Sequence, residues 1–362
     1  MPIFISVLFI AFVLFLSPFH AGAAETEAPD LETSSTAAQQ TPEEASADTI
    51  SGNQNQKIFT LVIENDSIGG RGTDKNYTSG VRFGYLDSGA EMPAIAYKID
   101  DYIPTFEIND STSVFYSFGQ NLYTPSDITN PAPNPNDRPW AAHLYGAIGL
   151  ATATDDHVDE VEVSLGVVGP WALGKQTQTF VHKYITDSPK PEGWSNQLKN
   201  EPAIVVAWQR RHPQYLSQDF VGLNFAAAPH YGVTLGNVYT FANAGFNLSV
   251  RPSKDMWQDA PVRVRPALPG TGFFDVPEND WSWYLFAGVD VRAVARNIFL
   301  DGNTFRSSSS VDKRYLVGDA NAGVAVTYGR YRLSYTLVYR TKEFYGQDDP
   351  SVFGALSLGY RF

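Results

Sequence analysis

The sequence of 362 residues contains no cysteine. A disulfide framework is therefore excluded, and the folded chain must be stabilised by packing and hydrogen bonds. Beyond residue 24 the chain also lacks any long apolar run, which excludes a transmembrane helix in that part of the sequence. A G-x-S-x-G motif is absent as well, so no nucleophile elbow of the α/β-hydrolase type is present.

Lysine and arginine are missing from the first 56 residues, although the chain as a whole carries a net charge of −13. Residues 3–19 are nearly all apolar and lead into Ala21-Gly22-Ala23, so we predict a secretory signal peptide over residues 1–23. A retained anchor helix is the alternative, because the apolar stretch approaches the length of a membrane span. Residues 24–56 carry seven carboxylates and no hydrophobic period, which predicts a disordered, acidic periplasmic tail. This charge balance argues against a nucleic-acid partner.

Residues that alternate between apolar and polar dominate the rest of the chain, most clearly in the segment 351–362. Val352, Leu356 and Tyr360 fall on one face of that segment, which therefore meets an apolar medium on one side only. Its last residue, Phe362, resembles the aromatic end of bacterial outer-membrane barrels, where it is the insertion signal for the barrel-assembly machinery. A terminal strand of a soluble β-sandwich is the alternative.

Segment 330–340 distinguishes a barrel from a sandwich. Its tyrosines and leucines alternate with polar residues that include Arg330, Arg332 and Arg340. Charges of this kind are costly in a dry sandwich core, whereas a wet or salt-bridged barrel lumen accommodates them. We expect these arginines to pair with inward carboxylates of other strands, namely Glu160, Glu162 and Asp290.

The sequence therefore predicts an all-β protein, a transmembrane antiparallel β-barrel of about twelve strands over residues 57–362, located in the bacterial outer membrane. A short helix is expected in one extracellular loop. The expected strands cover residues 57–65, 77–87, 113–121, 140–152, 157–168, 203–212, 221–235, 239–251, 281–297, 315–328, 330–342 and 351–362. With both ends of the barrel chain in the periplasm, the connections 88–112 and 252–280 are unusually long for the periplasmic side.

The first outer connection concentrates polar side chains. Asn65, Asp66 and Thr78 lie at the ends of two strands that a hairpin pairs, so their amide, carboxylate and hydroxyl groups can be held close together. Asparagine, aspartate and glycine are also ordinary turn residues, and turn formation alone would explain them.

The third outer connection contains a stretch of helical spacing over residues 173–186. Gln178 and His182 are separated by four residues and so share one face of that helix. Its apolar side suggests contact with lipid or with the barrel rim. His182 is the candidate catalytic histidine, and His143, near the outer rim but within a strand, is the reserve candidate.

These motifs carry a family resemblance. The stretches END…DKNYTSG, LYTPSDI, GVVGPWALGKQTQTFVHKYI…GWSNQLKNEP and RVRPALPGTGFF resemble the outer-membrane lipid A 3′-O-deacylases, in the same order along residues 57–362. The resemblance implies a twelve-stranded barrel with its active site at the rim in the outer leaflet. It also implies calcium-dependent hydrolysis of the ester that holds an acyloxyacyl chain on lipid A, the lipid anchor of lipopolysaccharide.

The family's site residues map onto this sequence by motif. The resemblance implies catalytic roles for Asn65, Asp66, Thr78, Gln178 and His182. Two positions depart from the family. The second outer loop lacks the family's lysine, with Arg138 as the next cation, and the family's glutamate is Ser188 here.

The chemistry of these residue types agrees with ester hydrolysis. His182 can accept a proton from water near neutral pH. Asp66 and Asn65, beside Thr78, can bind Ca²⁺ through oxygen atoms, and that cation would polarise the ester carbonyl. Two other functions stay open: a barrel phospholipase with a serine nucleophile such as Ser67 or Ser79, and a non-catalytic barrel that serves as a porin or adhesion scaffold.

Overall fold

The fold is available as a computed structural model. It describes residues 56–69, 75–92, 96, 106–154, 156–186, 188–213, 215–253, 260–261, 263–264, 272–274 and 281–362. The predicted signal peptide and nearly all of the predicted acidic tail lie outside these residues, as do parts of the connections 88–112 and 252–280. Within the described ranges, no helix has both the length and the apolar character needed to cross a bilayer.

Antiparallel strands make up most of the described chain. They are β1 (Lys57–Asn65), β2 (Asn76–Asp87), β3 (Ser113–Thr124), β4 (Ala141–Ala153), β5 (Val158–Val168), β6 (Glu201–Arg211), β7 (Leu216–Phe220), β8 (Leu223–Gly236), β9 (Tyr239–Pro252), β10 (Trp281–Asn297), β11 (Leu316–Tyr328), β12 (Tyr331–Arg340) and β13 (Ser351–Arg361). The helical elements are α1 (Gly174–Val181), its π-helical continuation His182–Thr186, α2 (Ile298–Asp301), and 3₁₀ turns at Pro170–Ala172 and Gly193–Asn196.

The sheet closes on itself. Strand β1 pairs with both β2 and β13, which joins the first strand to the last. Strands β6 and β7 lie end to end along β8, because Arg211 is opposite His230 and Leu216 is opposite Ala227. The two short strands therefore share one position, and the barrel has twelve strand positions. The predicted fold class is confirmed, whereas β7, which lies between the predicted strands 203–212 and 221–235, was not predicted.

Alternation along the strands separates a lipid-like exterior from a polar interior. Phe118, Leu165 and Ile204 point outward and are 52%, 61% and 53% exposed. On β12, Leu333 is exposed whereas Arg332 is buried. This is the pattern expected of a barrel whose outer surface contacts lipid.

Ion pairs fill the barrel interior, as predicted, but the predicted partners are wrong. Arg340 forms a two-pronged pair with Asp319, with both N–O distances 2.8 Å. Arg332 instead donates to the backbone oxygens of Gly272 and Phe273, 2.8 and 3.3 Å away. Arg330 lies in the exposed turn before β12.

The carboxylates predicted to receive those arginines bind other residues. Glu162 accepts a 2.8 Å hydrogen bond from Arg82, and Glu160 pairs with Arg211. Asp290 accepts from Asn243 at 2.9 Å and lies 3.3 Å from His230. Arg340–Asp319 and Glu160–Arg211 join neighbouring strands, so they depend on strand register. Arg82–Glu162 joins β2 and β5, which are not neighbours, so it depends on where the closed barrel places each strand. The alternation within a single strand gives neither kind of information.

The two ends of the barrel differ. At one end lie the start of β1 and the end of β13, where the Phe362 backbone N–H donates to the backbone oxygen of Lys57 at 3.0 Å. The Tyr360 ring packs there between Tyr331 and Phe362, with ring centroids 5.0 and 5.7 Å away. We call this the terminal end. The opposite end, the loop end, carries the connections 66–75, 125–140 and 169–200.

Candidate active site

The site begins where β1 reaches the loop end. Glu64 faces inward, where its carboxylate binds Arg263 at 3.1 Å, so the next residue, Asn65, faces the outer wall. The Asn65 amide donates to the backbone oxygen of Thr78 at 3.0 Å, and the backbone N–H of Asp66 donates to the same oxygen at 3.3 Å. The structure therefore brings Asn65, Asp66 and Thr78 together at one point of the wall.

The side chain of Asn65 is also a turn anchor. Its oxygen accepts a hydrogen bond from the backbone N–H of Ser67 at 2.8 Å and another from the Ser67 hydroxyl. Both lone pairs of that oxygen are then occupied. Turn formation, which was the alternative explanation for this asparagine, is therefore present in the structure.

A β-bulge aims Thr78. Tyr77 is opposite Tyr123 and Ser79 is opposite Leu122, so Thr78 is the extra residue on β2. A bulge of this kind re-aims a side chain out of the regular alternation. The Thr78 hydroxyl lies 2.5 Å from the hydroxyl of Thr124, which follows the inward-facing Tyr123 and hence faces outward. Both threonines are buried, and Thr124 is a site neighbour that the sequence analysis missed.

Helix α1 lies against the outside of the same wall. Gly174 packs on Ala142 of β4 so closely that an added Cβ would lie 2.5 Å from that side chain. Ala142 belongs to a cluster that includes Leu122 of β3 and Trp194. Adjacent strands are about 4.8 Å apart. The face of α1 that holds the candidate residues therefore meets the wall within a few strands of Thr78.

Gln178 is buried on that face and its orientation is determined by its partner. The indole N–H of Trp194 donates to the Gln178 side-chain oxygen at 2.8 Å. An indole nitrogen can only donate, so the oxygen must face Trp194 and the amide nitrogen must face away. That nitrogen, in a residue only 2% exposed, has no hydrogen-bond acceptor among the described residues.

His182 begins the π-helical turn after α1 and is also buried. Its Nδ1 lies 2.6 Å from the backbone oxygen of Pro189. A carbonyl oxygen only accepts, so Nδ1 carries the proton and, in the neutral ring, Nε2 carries the lone pair. This tautomer leaves Nε2 able to act as a base.

His143, the reserve base, and Arg138, the cation next to the second outer loop, do not lie on the outer side of this wall. His143 lies inside the barrel, stacked on Tyr145 with ring centroids 4.9 Å apart, so it is on the opposite side of β4 from α1. Arg138 is also inside, 3.3 Å from Glu343 and over the ring of Tyr123. Arg138 therefore does not replace the lysine that the second outer loop lacks. His143 is excluded as the reserve base for the same reason.

Ser188 occupies the position at which the family has glutamate. Its hydroxyl donates to the Thr186 hydroxyl at 2.8 Å, and its backbone N–H donates to the His182 oxygen at 3.2 Å. These contacts close the turn after His182 without a carboxylate at this position. Ser188 is thus a local turn residue in this chain.

Comparison with known proteins identifies both a family and a similar solved structure. The family model described as outer membrane protein LpxR matches residues 8–362. The structure of LpxR from Salmonella typhimurium is 20% identical, with a TM-score of 0.67, and the match covers 84% of this chain and 100% of that chain. The β domain of the Bordetella autotransporter BrkA is 11% identical over 85% of this chain and 98% of that chain, with a TM-score of only 0.34. No curated protein sequence matches this chain.

Proposed function

Because the chain belongs to the family of the outer membrane protein LpxR, the lipid A deacylases that its motifs resemble, we propose that it is a lipid A 3′-O-deacylase. It hydrolyses the ester that holds the 3′-linked acyloxyacyl chain, with its active site at the outer leaflet of the outer membrane. The observation that carries this proposal is the family match along nearly the whole chain. The meeting of Asn65, Asp66 and Thr78 on the wall that α1 covers supports it.

His182 is the proposed general base. Its Nε2 takes a proton from a water molecule, whose oxygen attacks the ester carbonyl carbon. When the tetrahedral intermediate collapses, the bond to the sugar oxygen breaks and that oxygen receives the proton from His182. The contact between Nδ1 and the Pro189 oxygen selects the neutral tautomer that the base needs and keeps the ring oriented once Nε2 carries the proton.

Gln178 is the proposed donor to the developing oxyanion. Its amide nitrogen is buried and directed away from Trp194, so it can donate to an oxygen that accumulates charge. A donor fixed before the reaction stabilises such charge without reorganising. Gln178 and His182 share one face of the helix and can therefore act on one ester.

Calcium is the proposed metal, with Asp66 as its principal ligand. The oxygen donors of these residues suit a hard cation: the buried Asp66 carboxylate, and the hydroxyls of Thr78 and Thr124, the first of which belongs to a residue that Asp66 contacts through its backbone N–H. In the described part of the chain, no group of three or more histidine, cysteine or acidic residues is arranged to hold a metal ion, so hydroxyl and main-chain oxygens would have to complete the shell. Asn65 would join only if the Ser67 hydroxyl turned away from its oxygen. Bound Ca²⁺ would polarise the ester carbonyl.

Two observations weigh against the alternative functions. The Ser67 hydroxyl donates to Asn65, and within the described residues no hydrogen bond joins Ser67 or Ser79 to a histidine. A serine nucleophile needs such a base beside it. For a porin, the interior is unsuitable, because pairs such as Arg340–Asp319 and the inward segment that binds Arg332 occupy it.

The proposal is tested with purified protein in detergent micelles and lipid A as the substrate. Wild-type protein should release the 3′-linked acyl chain, identified by mass spectrometry, and His182→Ala should reduce the rate by about 10²-fold or more. Heat-modifiable gel mobility of both proteins controls for folding. Near-normal turnover by His182→Ala would remove this histidine from the mechanism, and absence of turnover by the wild type would refute the function.

A further inference from the structure

The connection 169–200 is basic within an acidic protein. The chain has a net charge of −13, yet four of its ten lysines fall at positions 175, 183, 190 and 199. Lys190 is neutralised by Glu192, 2.9 Å away. Lys175 and Lys183 are exposed and form no salt bridge with any residue that the structure describes. Two unneutralised cations therefore stand on the surface of the helix that covers the site.

These lysines occupy a distinct face of α1 and its π-helical continuation. An α-helix advances about 100° per residue, so if Gln178 points at the wall, Lys175 lies to one side at about 60°. The wider π-helical turn advances less per residue, which places Lys183 on the same side at roughly 110–140°. Phe180, at about 200°, and Tyr184, at roughly 200–240°, lie farther round. The helix thus has three faces in sequence: one toward the wall, one basic and one aromatic.

The aromatic face continues the apolar exterior of the barrel. Phe180 and Tyr184 are 57% and 65% exposed and pack on each other with ring centroids 5.2 Å apart. Trp171, in the turn before α1, is 69% exposed. Leu165 and Ile204 are outward residues of β5 and β6, the strands that flank this connection, and they are exposed as well. An apolar patch joined to a lipid-facing wall marks a surface that contacts lipid.

We propose that α1 lies along the wall in the head-group zone of an anionic leaflet, with Phe180 and Tyr184 among acyl chains and with Lys175 and Lys183 binding phosphate groups of the glycolipid substrate. This inference rests on the proposed function and specifies how the head group is held. Lys175 and Lys183 supply positive charge at the site. The second outer loop of this chain has no lysine, and Arg138 lies inside the barrel.

The strength of such contacts can be estimated. A lysine near an anionic membrane surface strengthens binding by about fivefold, so two together give about 25-fold. These lysines are exposed, so salt should weaken the effect. The contact of Lys183 with the Tyr184 ring, 4.9 Å from Nζ to the centroid, keeps its charged group beside the aromatic face.

The test measures binding of fluorescent lipid A, bisphosphorylated or dephosphorylated, to the full protein in neutral detergent micelles by anisotropy. The double variant Lys175→Gln/Lys183→Gln should bind the bisphosphorylated lipid about 25-fold more weakly at low salt and the dephosphorylated lipid as well as wild type does. Lys190→Gln is the matched control and should change neither, because Glu192 already neutralises that lysine.

Unchanged affinity of the double variant for the bisphosphorylated lipid, or equal losses for both lipids, would overturn the inference. Turnover by the wild type, followed on the same preparations, separates this result from the proposed function. An active enzyme with phosphate-independent binding refutes the lysine contacts alone. Phosphate-dependent binding through these lysines without ester cleavage refutes the deacylase proposal and leaves the lipid surface in place.

Discussion

Replacing Trp194 with phenylalanine tests the proposed role of Gln178 from outside the reacting groups. The substitution keeps an aromatic ring at this position, smaller than the indole that packs on Gly174, and removes the N–H that donates to the Gln178 oxygen at 2.8 Å. Gln178 then has no donor that selects which end of its amide faces the wall. We predict a lower kcat with little change in KM, because the donor acts on the transition state more than on the bound substrate.

The magnitude follows from the hydrogen bond that is lost. A hydrogen bond of this kind contributes about 0.5–1.5 kcal/mol net, which corresponds to about a threefold to tenfold preference for one amide orientation. Without that preference about half of the amides present the nitrogen to the wall, so we expect Trp194→Phe to reduce kcat by about twofold. Gln178→Ala removes the donor altogether and should cost about 10²-fold or more.

A double-mutant cycle supplies the decisive assay. If Trp194 acts through Gln178, Trp194→Phe should have no further effect on kcat in the Gln178→Ala background. Trp140→Phe is the control, since that ring packs on Trp194 with centroids 5.0 Å apart and makes no hydrogen bond with Gln178. Equal losses from Trp194→Phe in both backgrounds would refute the reasoning and reduce Trp194 to a packing residue.

Two further predictions concern the wall residues. Excess chelator should abolish turnover and added Ca²⁺ should restore it, with Asp66→Ala raising the Ca²⁺ concentration needed or eliminating activity; full activity in chelator would remove the metal from the account. Ser67→Ala and Ser79→Ala should each keep most activity, whereas Thr78→Ala should cost more, because Thr78 bonds to Thr124 within the site. A covalent adduct trapped on either serine by a serine-directed reagent would instead establish an acyl-enzyme mechanism.

Much of the barrel could be predicted because successive side chains of a strand face lipid and lumen in turn, so apolar and polar residues alternate in the sequence. The alternation of β12, with Leu333 outward and Arg332 inward, is an example, and the pairing of β1 with β13 follows once the sheet must close. Strand β7 was missed, because it lies between the predicted strands 203–212 and 221–235 and all five of its residues are exposed, so its burial does not alternate. Arg340 and Asp319 are opposite each other on the neighbouring strands β12 and β11, so their pairing follows from the register of one hairpin. The pair Arg82–Glu162 joins β2 and β5, which are not neighbours, so it depends on closure and stagger and could not be predicted from the sequence.

The site was predicted through motif resemblance, and the structure adds what spacing cannot give. The bulge at Thr78 interrupts the alternation of side chains along β2, and no local feature of the sequence predicts it. His143 was kept as a reserve base because its distance from the rim could be estimated, whereas its inward direction depends on the register of β4. Trp194 was quoted within a motif, but its bond to Gln178 joins residues sixteen apart, on two different helical elements of the connection, and helical spacing does not predict such a contact.

The measurement that tests the central claim most directly is mass spectrometry of lipid A from cells with and without the protein. The account predicts that the lipid A of producing cells lacks the 3′-linked acyloxyacyl chain, and that this change disappears in cells producing His182→Ala. Appearance of lysophospholipid with intact lipid A would favour the phospholipase alternative and contradict the deacylase. Identical lipid profiles in all three strains, with the folded barrel present in the outer membrane, would contradict catalysis of either kind.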